Sequence, residues 1–373
     1  MAKVCAKCVM DMTDPAITFN EQGVCCHCIH AQERLKNEVF PGAEGEKKLA
    51  ALCAKIKQAA KSEPYDCVIG LSGGVDSSYL AYLVKEKYGL RPLAVHFDNG
   101  WNSELAVSNI ERLVKGLGID YYNYVMDWEV FKNLQLAFLK SSLANAEIPT
   151  DHAIFALLFQ QAAKHNIKYI LLGGNVSTES IMPDSWMCEN RDWRLIKAIN
   201  QRFGGKRLSN YPHFSLLKMA YYVFVKKIKC VSILNYTNYV KSDAKQLLVD
   251  RYGWRDYGGK HYESIYTKFF QTYILPRKFN IDKRKAHLSS LINASQITRE
   301  EAMQELAKPL GGERELESDK EYVLKKLGLS EEEFDNIMKA PVKHYEEYPN
   351  SAWLFVRSKK MMAKLKALIG AHL

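Results

Sequence analysis

The stretch Cys67-Val68-Ile69-Gly70-Leu71-Ser72-Gly73-Gly74-Val75-Asp76-Ser77-Ser78 decides the fold. It opens as a short apolar run, turns at two glycines, and continues with Leu80, Leu83 and Val84 at helical spacing until Gly89 and Pro92. That is strand, tight turn, helix and stop. Downstream the pattern repeats, with strands over 93–97, 121–126 and 169–172 and helices over 104–117, 130–143 and 152–165. Alternating strands and helices predict a parallel, doubly wound α/β sheet. Ligands bind such sheets beyond the carboxyl ends of the strands, where Ser72, Asp98 and Gly173 would converge.

The glycines of Ser72-Gly73-Gly74-Val75-Asp76-Ser77-Ser78 let the backbone bring its N–H groups close to an anion, and the following helix points its positive end there. The segment reads as a phosphate cradle. It lacks the lysine of Gly-x-x-x-x-Gly-Lys-Ser/Thr, so transfer of a γ-phosphate is not the indicated reaction. Asp98-Asn99 follows the second strand and Gly173-Gly174 the fourth, as places from which a nucleoside could be gripped. Taken alone, Asp98-Asn99 reads equally well as an ordinary turn.

Upstream, Cys5-x-x-Cys8 and Cys25-x-x-Cys28 form two thiolate pairs with the layout of a zinc knuckle. Four sulfur ligands leave no open position, which assigns Zn²⁺ to folding rather than catalysis. Cys26, His27 and His30 stand close enough in sequence to replace one ligand. Cys53, Cys67, Cys188 and Cys230 are scattered and are expected in the core. A charged helix with Lys47, Lys48, Lys55 and Lys57 leads to the first strand.

Downstream the chain becomes helical and aromatic, and capping boxes are expected at Thr298 with Glu301 and at Ser330 with Glu333. The segment Gly258-Gly259-Lys260-His261-Tyr262-Glu263-Ser264, with Lys268, Lys283 and Arg284, sets cations among aromatics that could complete an anionic site. A solvent-facing basic stretch is the plainer reading of the same residues. The division expected is a cysteine knuckle over 1–35, a nucleotide-binding α/β domain over 36–245 and a helical region over 246–373.

The 373 residues are 47% hydrophobic and 25% charged, the balance of a globular protein. No apolar run approaches the length of a membrane span, and no leader is visible, so a cytoplasmic protein without a membrane partner is expected. Nine cysteines suggest thiols or metal ligands rather than disulfides. The formal charge of +10 favours anionic partners without choosing among them.

The loop Ser72-Gly73-Gly74-Val75-Asp76-Ser77 resembles the PP-loop signature of the adenine-nucleotide α-hydrolase superfamily, whose members cleave ATP between the α- and β-phosphates. The resemblance implies that Ser72, Gly73, Gly74, Ser77 and Ser78 hold pyrophosphate and that Asp76 helps bind Mg²⁺. A narrower resemblance rests on Cys5-Ala6-Lys7-Cys8-Val9-Met10, Gly23-Val24-Cys25, the loop, Gly258 to Ser264, Asp282-Lys283-Arg284 and Lys343-His344-Tyr345-Glu346-Glu347-Tyr348-Pro349. Together these are similar to the N-acetyl sugar amidotransferase family, WbpG- and PseA-like. That family implies conversion of an N-acetyl group on a nucleotide-linked sugar to an acetamidino group, in LPS O-antigen or flagellin-glycan biosynthesis.

On this reading Lys268, Lys283 and Arg284 join Asp76 in catalysis, and Lys260, His261, Glu263 and Ser264 bind substrate. Ala2 follows Met1, so no amino-terminal cysteine is available as a glutaminase nucleophile. A separate glutaminase and an ammonia-channelling, synthase-like subunit are therefore expected as partners. The main competitor is tRNA thiolation, which the positive charge would suit, but Cys188 and Cys230 form no pair in sequence and nucleic acid is not expected as a partner. A nucleotide sensor without turnover is a third reading.

Overall fold

The structure, a computed structural model, describes residues 3–187, 189–259 and 262–355. The chain begins with helices α1 (Cys26–Glu38) and α2 (Gly42–Ala59), then enters β1 (Cys67–Gly70), α3 (Val75–Tyr82, running on in a wider turn through Leu83–Lys87), β2 (Pro92–Asp98) and α4 (Glu104–Leu117). It continues with β3 (Asp120–Val125), α5 (Trp128–Lys140), α6 (Ile148–Lys164), β4 (Tyr169–Leu172), α7 (Val176–Glu179) and α8 (Trp193–Ile199). Helix α9 (Leu216–Ala220, running on through Tyr221–Val225) leads to β5 (Lys229–Ser232) and α10 (Lys241–Tyr252). The remainder is helical: α11 (Ile265–Phe269), α12 (Leu275–Phe279), α13 (Lys283–Asn293), α14 (Arg299–Ala307), α15 (Glu313–Leu327) and α16 (Glu331–Lys339).

The five strands form one parallel sheet in the order β3-β2-β1-β4-β5. Residue alternation splits the core into two layers. Val68, Val95 and Ile170 face Phe131, Leu134, Ala156 and Phe159 of α5 and α6, while Cys67, Ile69, Ala94 and Leu171 face Leu49, Leu80, Ile110 and Leu248 on the other side. Helices on both faces make the sheet doubly wound, as the alternating pattern predicts. Its order reverses between β1 and β4, so their carboxyl ends open a crevice into which the glycine loop projects.

The fifth strand is absent from the sequence-based expectation. Lys-Cys-Val-Ser is only four residues long, two exposed and two half-buried, so no apolar run marks β5, and Cys230, expected in the core, is exposed there. Cys53 and Cys67 are buried as expected, whereas Cys188 lies outside the described residues. Both expected capping boxes form, at Thr298 with Glu301 and at Ser330 with Glu333. No helix among the described residues is long and apolar enough to cross a membrane.

Candidate active site

The glycine loop is held from three sides. Gly73 has a φ of +82°, and a Cβ there would stand 2.7 Å from the carbonyl oxygen of Ala106 in α4, so the position has room only for glycine. The Trp254 indole donates to the Gly73 carbonyl at 3.0 Å, and the Val75 N–H donates to the Tyr257 hydroxyl at 3.3 Å. Ser72 and Ser77 brace the turn internally: the Ser72 N–H donates to the Ser77 hydroxyl at 3.2 Å, and the Gly74 N–H to the Ser72 hydroxyl at 3.3 Å. Ser78 is buried beneath the loop, and its hydroxyl has no hydrogen-bond partner among the described residues.

From the neighbouring strand end, Gly173 meets the start of α3. A Cβ on it would lie 3.1 Å from the Asp76 carbonyl oxygen and 3.2 Å from the Ser77 nitrogen. A Cβ on Gly174 would lie 3.2 Å from Glu179 Oε2. The Asp76 carboxylate accepts a short hydrogen bond from the Tyr239 hydroxyl. Burial, reinforced by the Asp76 charge, drives the Tyr239 pKa well up, so this phenol stays a donor.

Asp98 and Asn99 fix the turn after β2. Gly100 N–H donates to Asp98 Oδ1 at 2.9 Å, Trp101 N–H donates to Asn99 Oδ1 at 3.2 Å, and Asn99 Nδ2 donates to Thr150 Oγ1 at 3.2 Å. This turn is also where the C-terminal region attaches. Ser103 N–H donates to the Glu263 carbonyl and Ile265 N–H to the Trp101 carbonyl, both at 2.9 Å, with Asn102 opposite Ser264. The pairing brings the Glu263 carboxylate to the loop, where a Cβ on Gly74 would lie 3.2 Å from its Oε1. Ser264 caps α11 by accepting from Thr267 N–H at 3.3 Å. Lys260 and His261 lie outside the described residues.

Two adjoining cavities open beside this junction. One, of about 380 Å³, is lined by Thr178, Lys241, Gly258, Tyr262, Lys283 and Arg284. The other, of about 410 Å³, shares Gly258 and Tyr262 and adds Tyr257 and Lys268. Lys283 and Arg284 thus meet in the first and Lys268 stands in the second. Arg284 is anchored to Asp282 at 2.8 Å and to the Lys308 carbonyl at 2.9 Å. Lys268 is paired with Glu315 at 2.6 Å and Asp319 at 2.7 Å. Burial works against its charge, but these carboxylates outweigh burial and raise its pKa.

The sulfurs of Cys5, Cys8, Cys25 and Cys28 lie within 4.8 Å of one another, all four buried, and the Cys8 and Cys25 sulfurs are 3.7 Å apart. Tetrahedral Zn–S bonds of about 2.3 Å put sulfurs about 3.8 Å apart. Donors point at the same sulfurs: Cys25 N–H to Cys5 at 3.2 Å, Met10 N–H to Cys8 at 3.4 Å, and the Asn293 amide to Cys28 at 3.2 Å. Hydrogen bonding to Cys28 and Cys8, then burial, pushes the Cys25 thiol far up, while hydrogen bonds with Cys25 and Cys28 hold Cys8 well down, so all four sulfurs could ionise together only around a cation. The cluster therefore fits a metal ion. His27 turns instead to Asp14 at 2.6 Å. Asn293 and Ser289, whose hydroxyl accepts from Val9 N–H at 3.2 Å, belong to α13, the helix whose first turn carries Lys283 and Arg284.

The aromatic clamp of Tyr239, Trp254 and Tyr257 escaped the sequence reading, as did Glu179. Nothing in the spacing of the three aromatics marks them, because only the return of the chain after β5 sets them over the loop, whereas Glu179 is placed by the short helix α7 that follows β4.

A glycine loop at the switch point of a five-stranded parallel sheet is the architecture of the ATP-using PP-loop class. A family model described as NAD synthase matches residues 48–182, and one described as LPS biosynthesis protein WbpG-like, C-terminal domain, matches residues 263–366. Together the two matches support a WbpG-like protein of the PP-loop class.

Curated relatives match over about a third of the chain. A glutamine-hydrolyzing GMP synthase of Pyrobaculum aerophilum is 30% identical over 134 residues, 34% of this chain and 25% of the relative. A tRNA-specific 2-thiouridylase, MnmA 2, of Fusobacterium nucleatum is 30% identical over 119 residues, 30% of this chain and 34% of the relative. The matches thus span well under half of these relatives' own length. Among solved structures, an NH3-dependent NAD synthetase from Campylobacter jejuni aligns at 16% identity with a TM-score of 0.29, covering 56% of this chain and 93% of that one.

Proposed function

We propose that the protein is an ATP-dependent amidotransferase that converts an N-acetyl group of a nucleotide-linked sugar to an acetamidino group, in the biosynthesis of a bacterial surface glycan. The observation that carries this reading is the joining of a PP-loop to a WbpG-like C-terminal region, whose Glu263 carboxylate reaches Gly74 of the loop.

An amide oxygen is a poor leaving group. Attack of that oxygen on the α-phosphate of ATP releases pyrophosphate and leaves an O-adenylyl imidate, from which AMP departs when ammonia adds to the imidate carbon. The loop amides and the α3 amino terminus would hold the phosphates. Asp76, with hard carboxylate oxygen, would hold Mg²⁺, which supplies positive charge against the departing pyrophosphate. Tyr239 orients that carboxylate. Lys283, with the anchored Arg284, sets fixed positive charge beside the first cavity, which suits an anionic nucleotide sugar. The cysteine cluster would hold structural Zn²⁺ and brace α13 from behind.

The ammonia is proposed to arrive from a separate glutaminase through a synthase-like subunit. Among the described residues, none of Cys26, Cys53, Cys67 and Cys230 lines either cavity, which supports this reading over thiolation, a chemistry that needs sulfur chemistry at the adenylate. Purified protein is incubated with ATP, Mg²⁺, ammonium and UDP- or CMP-linked acetamido sugars, and products are weighed by mass spectrometry. Replacement of the amide oxygen by NH, with AMP release that depends on ammonium and not on glutamine, is the expected result. AMP release indifferent to ammonium with every such sugar, or release stimulated by tRNA, would overturn the assignment.

A further inference from the structure

The chain's positive charge is not spread evenly. Residues 193–242 contain ten Lys and Arg and no Asp or Glu, so this one segment holds the whole formal excess of +10. Within it, helix α9 and its continuation present apolar side chains in two directions. Tyr222 turns inward, 4% exposed, and stacks on Phe159 of α6 at 5.5 Å. Leu217, Tyr221, Phe224 and Val225, spaced i, i+4, i+7 and i+8, fall on one outward stripe. Leu217 is 84% exposed, Phe224 67% and Val225 65%, on a helix already seated by its other face. Lys218, Lys227 and Lys229 rim the stripe and are exposed.

We infer that this stripe is a peripheral docking face for an anionic phospholipid surface. Two properties of the segment select that occupant. Bulky apolar side chains flanked by lysines, in a segment that itself carries no acid, are what lowers free energy at a charged headgroup boundary, where the apolar groups enter the acyl edge and the ammonium groups remain among phosphates. Position is the second property. The strands are parallel, so the end of α9, which turns directly into the first residue of β5, lies toward the sheet pole opposite the carboxyl ends that carry the glycine loop. A partner delivering ammonia would have to reach the loop pole. A surface bound at the other pole leaves both cavities open. The expected lack of a membrane partner followed from the lack of a span, and an interfacial helix needs none.

The test is co-sedimentation of the full chain with vesicles of phosphatidylcholine, alone or with about a third phosphatidylglycerol, at low and raised salt. Binding to the anionic vesicles only, lost at raised salt, is expected. Leu217→Ser with Phe224→Ser should weaken that partition about tenfold or more, without changing the melting temperature or ATP-dependent AMP release. Lys218→Glu with Lys229→Glu, which leaves the apolar stripe intact, should weaken it about fivefold or more per lysine. Equal binding to neutral and anionic vesicles, or unchanged binding by both variants, would overturn the inference. So would a dimer in analytical ultracentrifugation that dissolves in the serine variant, because the stripe would then belong to a second copy.

Discussion

At the four-cysteine cluster the chain turns N–H groups onto its own sulfurs and closes the site from water, whereas at the glycine loop it holds the backbone open from outside with Trp254, Tyr257 and Gly173. The first arrangement satisfies four ligands completely and leaves nothing for substrate. The second keeps a helix amino terminus facing a crevice. Yet the two are mechanically joined, since α13 contributes Ser289 and Asn293 to the cysteine cluster and Lys283 and Arg284 to the cavity. A closed site can thus set the position of residues in an open one through a single helix of 11 residues.

The largest effect should come from Cys5→Ser with Cys8→Ser. Structural Zn²⁺ contributes on the order of 10 kcal/mol of apparent binding free energy, so its loss should unfold the first 30 or so residues. Elemental analysis should find about one zinc per wild-type chain and none in the variant. Hydrogen exchange should show loosened α13 as well as α1; an unchanged α13 would break the proposed link between the two sites.

Asp76→Ala should leave the melting temperature nearly unchanged, because the side chain faces the crevice, yet lower AMP formation by about 100-fold or more. Near-normal turnover would show that the carboxylate holds no ion. Gly173→Ala tests the crevice wall: its Cβ would press on the Asp76 carbonyl and the Ser77 nitrogen at 3.1 and 3.2 Å. Since backbone there cannot yield without moving the loop, ATP affinity should drop about tenfold, at a stability cost of about 1–3 kcal/mol. Isothermal titration with a non-hydrolysable ATP analogue reads the first, and thermal unfolding the second.

Tyr239→Phe should have the smallest effect. It removes the hydroxyl that orients Asp76 while keeping the ring packed on Tyr79 at 5.4 Å. A several-fold rise in the Mg²⁺ concentration needed for half-maximal rate, with the fold unchanged, is expected. An effect as large as that of Asp76→Ala would give Tyr239 a direct part in the reaction.

Much of this was legible in the chain itself. The run from Cys67 to Ser78 determined strand, loop and helix because an apolar run, two glycines and a 3.6-residue period each act locally. The cysteine pairs marked a cluster fit for a metal for a similar reason, as the two-residue spacing of each pair already brings its thiols together. Short-range rules also placed both capping boxes. What the sequence did not disclose depends on contacts between distant segments. The edge strand β5 has no apolar signature because its four residues stay exposed or half-buried, and only the pairing with β4 makes them a strand. Tyr239, Trp254 and Tyr257 look like ordinary aromatics until the chain returns over the loop, and Glu263 reaches Gly74 only because residues 263–265 pair with 101–103. Sequence spacing encodes interactions over a few residues, whereas the contacts of the aromatic clamp and of Glu263 span more than 150 residues, and the free energy that selects them resides in burial that exists only once the sheet and its helices are assembled.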